Sequence, residues 1–265
     1  MVSNILLSFD LEEFDIPEEY GEKIPEEIKL KVSRNGLELI LVLLKKLDIK
    51  ATFYTTAFFA EKNPQLIVDI SNDHEIASHG YYHSIFNSDD IKTSKVILDK
   101  ITNQNITGFR MPRLQPFNES LLTDAGYVYN SSLNPTYLPG RYNNFNKPRL
   151  PFVSNGIINL PASVSSNLRL PLFWISFKVF PFSFYKRLAL SILKKDNYLN
   201  IYFHPWEFTD ISKYKMPFYT KRIYGEKLLN RLELLLIALK QEGGEFITSS
   251  EYCQRFIQIK NTSQS

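Results

Sequence analysis

Short runs of apolar residues alternate with segments of helical periodicity along most of the chain. Ile5 to Phe9 and Tyr198 to Phe203 are almost continuously apolar, which is typical of strands buried on both faces in a parallel sheet. Glu26 to Leu47 and Glu226 to Glu242 instead carry leucine and isoleucine three and four residues apart, as expected of helices that pack one face on a sheet. The alternation predicts repeated βα units around a mostly parallel sheet.

Weaker signals complete the series of elements. Further strands are predicted at 51–55, 75–77, 106–109 and 246–248, and further helices at 64–70, 89–101, 118–125 and from 249 onward. From 127 to about 181 the pattern is irregular, and Ser-Asn-Gly at 154–156 predicts a hairpin. The stretch 168–193 is rich in aromatic residues and leucine, but Pro171 and Pro181 argue against one continuous helix.

One domain spanning residues 1–265 is predicted, with an irregular, aromatic-rich insertion at about 130–195. A chain of 265 residues suits an α/β barrel that folds as a single unit. The composition, 44% hydrophobic and 22% charged, is that of a globular protein with a sizeable core. We therefore expect a fold of the α/β class.

Charge and cysteine content narrow the function classes. A net charge of +3 is too balanced to favour nucleic acid as the partner. The single cysteine, Cys253, excludes an internal disulfide and a zinc site built from cysteines. No stretch approaches the roughly 18 uninterrupted apolar residues of a membrane span, and the first residues lack the charged segment of a signal sequence. These features predict a cytoplasmic protein.

Several residues with reactive side chains follow the predicted strands directly. In parallel α/β barrels, reactive groups lie just past the carboxyl ends of the strands. The candidates at the ends of four separate strands are Asp10, Glu12, His79, His83, Arg110 and His204. The placement predicts that these side chains share one face of the barrel.

The residue types suit the hydrolysis of an amide. Two imidazoles four residues apart, on one face of a helical turn, can hold a divalent ion together with a carboxylate. Such an ion activates water and polarises a carbonyl group. A second carboxylate can accept a proton from the water, an arginine can orient that carboxylate, and a histidine can protonate the leaving amine.

Each residue taken alone also has an ordinary structural interpretation. His79 and His83 could be polar residues of an exposed turn, and Asp10 could be a loop residue or helix cap. His204 at the end of an apolar strand needs a partner if it is buried, and a satisfied core histidine is the alternative. His74 is assigned to capping or packing. The common position at strand ends favours the functional interpretation.

Four motifs carry a family resemblance. They are SFDLEEFD at 8–15, KATFYTTAFFAEKNPQLIVDISNDHEIASHGYYH at 50–83, GFRMPR at 108–113 and YFHPWEF at 202–208. Together they resemble the polysaccharide deacetylase family, the metal-dependent carbohydrate esterases that remove acetyl groups from sugars. The resemblance extends from about residue 4 to 252 and implies a distorted (β/α)7 barrel. The Phe-Asp-x-Glu form and HPWEF are similar to the branch associated with bacterial exopolysaccharide and envelope-glycan biosynthesis.

The resemblance also implies roles for individual residues. His79 and His83 would bind the metal, with Glu12 or Asp10 as the carboxylate ligand. Asp10 would be the general base and His204 the general acid. The remaining assignments are Arg110 as the orienting partner of Asp10, and Arg113, Tyr82 and Trp206 as substrate-binding residues; packing inside the protein is the alternative for the two aromatic residues.

This chain departs from the family pattern at three positions. Leu11 stands where a second aspartate is common, and we expect the longer Glu12 to supply the missing ligand, although the roles of Asp10 and Glu12 are interchangeable on the sequence alone. Arg113 stands where a tyrosine is common, so its backbone N–H remains available to an oxyanion. Asn130 stands where related branches have an aspartate, and the electrostatic role of that carboxylate is lost.

The combined prediction is a metal-dependent hydrolase that removes N-acetyl groups from a polysaccharide, an oligosaccharide or a lipid-linked glycan precursor. Zinc is the expected ion, and nickel, cobalt or iron(II) also suit histidine and carboxylate ligands. The stretch 168–193 either touches the inner face of a membrane, forms a lid over the substrate, or packs on the barrel. The alternative functions are hydrolysis of another C–N bond, as in deformylases or cyclic amide hydrolases, and glycan binding by a vestigial site.

Overall fold

The computed structural model describes residues 2–262 and contains one large, curled sheet. Its strands are β1 (Ser3–Leu11), β2 (Thr52–Thr55), β3 (Glu75–Ser78), β4 (Gly108–Phe109), β5 (Tyr129–Asn130), β8 (Phe152–Ser154), β9 (Ile157–Asn159), β10 (Tyr198–Phe203) and β11 (Gly244–Phe246). A separate two-stranded ribbon is formed by β6 (Tyr137–Leu138) and β7 (Tyr142–Asn143).

Seven neighbouring strands are parallel, in the order β10-β1-β2-β3-β4-β5-β9. β11 also runs parallel to β1, whereas β8 forms an antiparallel hairpin with β9. The open side of the curl narrows where Ser163, just past β9, donates its backbone N–H to the Asn200 carbonyl of β10 at 2.9 Å. The predicted distorted (β/α)7 barrel is confirmed.

Helices surround the sheet. Their bounds are α1 (Glu26–Leu47), α2 (Ala57–Lys62), α3 (Pro64–Asp73), α4 (Asp90–Thr102), α5 (Ser120–Asp124), α6 (Trp174–Val179), α7 (Phe182–Asp196), α8 (Gly225–Gln241) and α9 (Ser249–Thr262). Short 3-10 helices at Ile16–Tyr20, Pro112–Leu114, Pro205–Phe208 and Phe218–Lys221 follow strands or cross the carboxyl face. In the described part of the chain, no helix is long and apolar enough to cross a membrane.

The alternation of side chains along β1 separates the packed core from the barrel interior. Successive side chains of a strand point to opposite faces. Ile5, Leu7 and Phe9 belong to the large core between sheet and helices, whereas Leu6 packs in the barrel interior with residues such as Tyr54. Ser8 and Asp10 share the face of Leu6, so the interior is apolar at the amino end of β1 and polar at its carboxyl end.

Most of the predicted elements agree with the structure, and the differences are local. The predicted strand 246–248 lies two residues late, because β11 begins at Gly244. The predicted strand 106–109 is reduced to two residues in β4. Helix α2 was missed because its six residues, AFFAEK, are too few to show a helical period. The hairpin at 154–156 is confirmed, with Asn155 and Gly156 both left-handed, at φ 49° and 77°.

The irregular middle of the chain contains two helices separated by Pro181. Pro181 precedes α7 and has no N–H to continue α6, so the stretch 168–193 is broken as predicted. α7 packs on β10 and β1 as a crossover helix of the barrel. α6 contacts the 3-10 helix at 218–221 and also β10 and α7.

Gly36 provides a test of how tightly α1 packs on the chain just after β10. A Cβ atom at Gly36 would lie 1.8 Å from the carbonyl oxygen of Pro205. We expect Gly36→Ala to lower the free energy of unfolding by about 1–3 kcal/mol, because backbone must move to admit the methyl group. Thermal unfolding would measure this against Asn35→Ala, an exposed position on the same helix. Equal melting temperatures for the two variants would contradict the packing.

Candidate active site

The structure brings the six candidate side chains together at the carboxyl ends of four strands. Asp10 is the penultimate residue of β1, and Glu12 follows that strand. The others come directly or shortly after β3, β4 and β10, and all are buried: His79, His83, Arg110 and His204. The strand-end rule therefore located the group correctly in space.

Three of these side chains converge on one point. One ligand atom from each of Glu12, His79 and His83 lies within 4.8 Å of the others. The Glu12 Oε2 atom is 3.2 Å from the Nε2 atom of His79 and 3.2 Å from that of His83. Oε2 is buried and accepts no hydrogen bond from the described residues, so its lone pairs are directed to the same point as the two imidazole nitrogens. Two imidazoles and one carboxylate fit a divalent metal ion.

The far side of each imidazole is already bonded. The Nδ1 atom of His79 is 2.8 Å from the carbonyl oxygen of Arg110, and Nδ1 of His83 is 2.7 Å from Oδ1 of Asp15. Both partners are acceptors, so both Nδ1 atoms carry the proton and donate it. In the neutral form of each ring, Nε2 therefore carries a lone pair directed toward Glu12, which is the arrangement that metal-binding histidines require.

Glu12 is oriented from the opposite direction. The indole Nε1–H of Trp206 donates to Oε1 of Glu12 at 3.2 Å. Trp206 itself is 1% exposed and stacks on the ring of His204, with centroids 5.0 Å apart. One carboxylate oxygen is thus held by the protein and the other is free for a ligand.

The segment that carries the two histidines is an irregular loop, which corrects the predicted helical turn. Residues 79–83 have no helical hydrogen bonding, and Gly80 is left-handed, with φ 73°. The loop is held instead by Glu13, whose Oε1 accepts the backbone N–H of His83 at 3.0 Å and whose Oε2 accepts the Thr56 hydroxyl at 2.9 Å. The loop brings the two rings to 5.8 Å between centroids.

Electrostatics favour positive charge at His83. Burial alone would lower the pKa of the His83 imidazole, but the carboxylates of Glu12 and Asp15 outweigh burial and raise the pKa to about 9. A divalent cation bound between Glu12, His79 and His83 would compensate the negative charge of these carboxylates in place of the proton on His83.

Asp10 forms a buried ion pair with Arg110. The Arg110 Nη1 atom is 2.5 Å from Oδ1 of Asp10. The other oxygen, Oδ2, lies 4.0 Å from Nε2 of His79 and 3.8 Å from Nε2 of His204. Burial by itself would raise the pKa of the Asp10 carboxyl, but the Arg110 guanidinium outweighs it and lowers the pKa below its usual value. Asp10 is therefore ionised, with one oxygen facing the converging ligands.

Every nitrogen of the Arg110 guanidinium has a hydrogen-bond partner inside the barrel. Its Nε–H donates to the Ser131 carbonyl at 3.1 Å, and its Nη2 donates to the hydroxyls of Ser8 and Ser131, each at 3.0 Å. The guanidinium lies over the ring of Tyr54 at 3.8 Å and near that of Tyr202 at 4.8 Å. Such a site fixes the guanidinium in one position.

His204 lies next to Asp10 and Glu12. Its Nδ1 atom is 2.9 Å from Oε1 of Glu207, and its Nε2 atom is 3.8 Å from Oδ2 of Asp10 and 4.0 Å from Oε1 of Glu12. Burial would lower the pKa of His204, but Glu12 and Glu207 together raise it.

The site opens into a cleft whose walls are largely aromatic. Wall residues include Ile16, Tyr20, Leu138, Tyr142, Trp174 and Tyr219. Trp206 and Arg113, both predicted to bind substrate, line the cleft. Arg113 is left-handed, with φ 58°, and its guanidinium pairs with Glu19 at 2.7 Å. Tyr82 lies elsewhere: it packs on Phe58, 4.8 Å between centroids, and is not among the described residues that line the cleft.

Four residues with direct contacts to the site were not singled out from the sequence. They are Glu13, Asp15, Lys178 and Glu207. The first two belong to the acidic run at the end of β1, in which Asp10 and Glu12 alone were assigned. Glu207 lies three residues after His204, the spacing at which a carboxylate reaches back to the start of a helical turn.

Asn130, which was predicted to depart from the family pattern, bonds to neighbouring elements of the fold. The side-chain amide of Asn130 donates to Glu119 at 3.1 Å and to Asn159 at 3.2 Å. Asn130 therefore links β5 to β9 and to the start of α5, and the carboxylate that contacts His204 is that of Glu207.

Comparison with known proteins gives one family match. Residues 31–129 match the family described as polysaccharide deacetylase. The resemblance to polysaccharide deacetylases is confirmed. The matched residues contain the loop with His79 and His83, and Arg110, but not Asp10, Glu12 or His204. A search of curated proteins gives no match.

Solved structures share the fold at low sequence identity. A probable polysaccharide deacetylase from Pseudomonas aeruginosa PAO1 has a TM-score of 0.70 and 16% identity, over 96% of this chain and 91% of that one. A putative polysaccharide deacetylase from Mycobacterium smegmatis has a TM-score of 0.66 and 15% identity, over 98% of this chain and 92% of that one. PuuE allantoinase has a TM-score of 0.68 and 17% identity, over 95% of this chain and 89% of that one.

Metal content should depend on His79 but only partly on Asp15. We expect about one equivalent of divalent metal in the wild-type protein, which has three protein ligands in one cluster. His79→Ala should remove it, whereas Asp15→Asn, which weakens the support of His83, should lower metal affinity about 10- to 100-fold. Plasma mass spectrometry and chelator competition measure the two effects.

His74→Ala is the matched control. His74 is the residue that ends α3, and its ring packs on Phe53 with centroids 5.4 Å apart, which agrees with the predicted capping or packing role. Retention of a full equivalent by His79→Ala would contradict the assignment of the cluster as a metal site.

Proposed function

We propose that this protein is a metal-dependent hydrolase that removes an N-acetyl group from a carbohydrate. The observation that carries the proposal is the arrangement of Glu12, His79 and His83 around one point, with Oδ2 of Asp10 lying 4.0 Å from Nε2 of His79 and 3.8 Å from Nε2 of His204. The family resemblance of residues 31–129 supports the same activity.

Glu12, His79 and His83 would hold the ion, and the donor set favours zinc while also suiting nickel, cobalt or iron(II). When bound, such an ion lowers the pKa of a water molecule and polarises the acetamide carbonyl. Trp206 supports Glu12 as the ligand rather than Asp10, because it occupies Oε1 and leaves Oε2 facing the two histidines.

Asp10 is then the general base. Its Oδ1 atom is bound to Arg110, so its proton-accepting oxygen is Oδ2, which faces the cluster. Ion pairing with Arg110 keeps Asp10 unprotonated when the substrate arrives, because the pKa of its carboxyl is lowered. Asp10 takes a proton from the attacking water as the water oxygen bonds to the acetamide carbon.

His204 is the general acid. Its Nδ1–H is held by Glu207, so Nε2 is the nitrogen that faces the reacting atoms. A proton on Nε2 passes to the sugar nitrogen as the C–N bond breaks, which releases acetate and a free amine. The backbone N–H of Arg113, in its left-handed turn at the cleft, is the candidate donor to the developing oxyanion.

The same groups could open a different amide, and the fold similarity to PuuE allantoinase keeps this alternative in view. A cyclic amide would give ring opening without acetate, and a formyl group would give formate. Glycan binding without turnover is the third candidate, but the complete set of proton-transfer groups favours catalysis.

The substrate's place in the cell is a further part of the proposal. The HPWEF and Phe-Asp-x-Glu forms support a role in exopolysaccharide or envelope-glycan biosynthesis. A glycan precursor as substrate and a cytoplasmic location remain predictions from the sequence.

Acetate release from N-acetylglucosamine oligosaccharides tests the proposed chemistry. We expect turnover by the zinc-loaded protein, and a fall of about 10²- to 10⁴-fold in kcat for both Asp10→Asn and His204→Ala, since each removes one proton-transfer group. Both variants should retain metal. Acetate and free amine are quantified in parallel, with Asp210→Asn, an exposed carboxylate, as control.

Each variant also has an outcome that would change an assignment. If His204→Ala turned over substrate at the wild-type rate, His204 would not be the general acid. Loss of metal from Asp10→Asn would make Asp10 a ligand and Glu12 the base.

Membrane contact through 168–193 is tested by vesicle flotation. Leu168 and Phe184 are 73% and 44% exposed, whereas Tyr185, Ala189 and Ile192 are buried against the barrel. If the two exposed side chains insert, the protein should float with anionic phosphatidylglycerol vesicles, and Leu168→Ser/Phe184→Ser should abolish flotation. Absence of flotation by the wild type would leave the segment as packing.

A further inference from the structure

A buried chain of polar groups leads from α6 to the ring of His204. Lys178 and Glu207 are 1% and 0% exposed, and the Lys178 Nζ atom lies 2.7 Å from Oε2 of Glu207. The other carboxylate oxygen, Oε1, lies 2.9 Å from Nδ1 of His204. We propose that Lys178 is a positioning residue for the general acid, acting through Glu207; the inference rests on the proposed function for what His204 does.

Glu207 holds His204 at two atoms. Its Oε1 accepts the backbone N–H of His204 at 2.8 Å as well as the Nδ1–H at 2.9 Å. The ring is therefore fixed relative to its own backbone, and the proton on Nδ1 is fixed as well. Nε2, the atom that faces Asp10 and Glu12, is the ring nitrogen left for proton transfer.

This arrangement requires a cation next to Glu207. A carboxylate that is completely buried is costly unless a charge partner compensates it. Lys178 supplies that charge at the oxygen that His204 does not use. Without Lys178, His204 would be the nearest cationic partner of Glu207 in the described part of the chain, and the carboxylate would be free to rotate away from the double contact or to bind a proton.

Lys178 is itself held in place by three further contacts. Its Nζ donates to the Thr220 carbonyl at 2.8 Å and lies 5.2 Å from the ring centroid of Trp174 and 5.4 Å from that of Trp206. These cation–π contacts leave the ammonium little freedom to leave Glu207. Thr220 and Trp174 also line the cleft, so the residues that form the substrate wall fix the cation behind the acid.

The side chain of Asn130 is bonded to residues away from His204. Its amide donates to Glu119 and Asn159. The carboxylate that contacts His204 comes from the same turn as His204, and its counter-charge comes from α6. Support of the acid thus depends on the insertion.

Nuclear magnetic resonance of the histidine side chains tests the proposal directly. The chain has four histidines, so the ring N–H signals of 15N-labelled, zinc-loaded protein can be assigned with His204→Ala. In the wild type, the Nδ1–H of His204 should give a signal protected from solvent exchange. Lys178→Met should abolish that protection and leave the signals of His79 and His83 unchanged.

Kinetics supply the second readout. Lys178→Met should lower kcat for acetate release about 10- to 100-fold, the usual effect of removing an outer partner, with KM changed less than about twofold. Lys178→Arg, which keeps the charge, should recover most of the loss. In a Glu207→Gln background, Lys178→Met should cause no further loss, because no buried anion remains to be held.

The double variant also guards against misfolding, since removing both members of a buried ion pair is far less harmful than removing one. Lys186→Met, on α7, is the matched control and should behave as the wild type. The proposal is overturned if Lys178→Met keeps the protected signal, or if Lys178→Met lowers kcat by the same factor with and without the Glu207→Gln substitution. If the wild type releases no acetate but still shows a protected His204 Nδ1–H signal that Lys178→Met abolishes, that result would contradict the proposed function but support the role of Lys178 in positioning His204.

Discussion

A charged guanidinium enclosed by the barrel is the constraint on which the site depends. Arg110 follows β4, yet its side chain contacts Asp10 on β1, Ser131 after β5 and the rings of Tyr54 and Tyr202 on β2 and β10. A buried arginine is tolerated only when every donor and its charge are satisfied. Because those partners come from strands all around the curl, the sheet must close correctly before Arg110 can be buried.

Other buried carboxylates at the site are also paired with cations. Asp10 is compensated by Arg110 and Glu207 by Lys178, so each of these two buried carboxylates has its own fixed cation. Glu12 differs, since its Oε2 faces the Nε2 atoms of two imidazoles. Among these three carboxylates, Glu12 is the one without a fixed cation and with an oxygen that accepts no hydrogen bond from the described residues, which suits it to a metal.

Features of the fold and the site that depend on neighbouring residues could be predicted from the sequence, whereas those that depend on contacts between distant residues could not. The strands at 5–9 and 198–203 and the helix at 26–47 were predictable because burial imposes a period on consecutive residues. The common location of residues such as Asp10 and His204 was predictable because strands of a parallel barrel end on one face. The residues alone left Asp10 and Glu12 interchangeable, since what distinguishes them is the indole of Trp206, 194 residues from Glu12. Lys178 was hidden for the same reason: nothing local to α6 indicates that its ammonium meets Glu207.

The carbonyl of Arg110 has a consequence of its own. That oxygen accepts the Nδ1–H of His79 at 2.8 Å, while the guanidinium of the same residue binds Asp10. One residue thus sets the location of a histidine of the cluster through its main chain and of the neighbouring aspartate through its side chain. Because both contacts come from one residue, a substitution that moves Arg110 would disturb the histidine and the aspartate together.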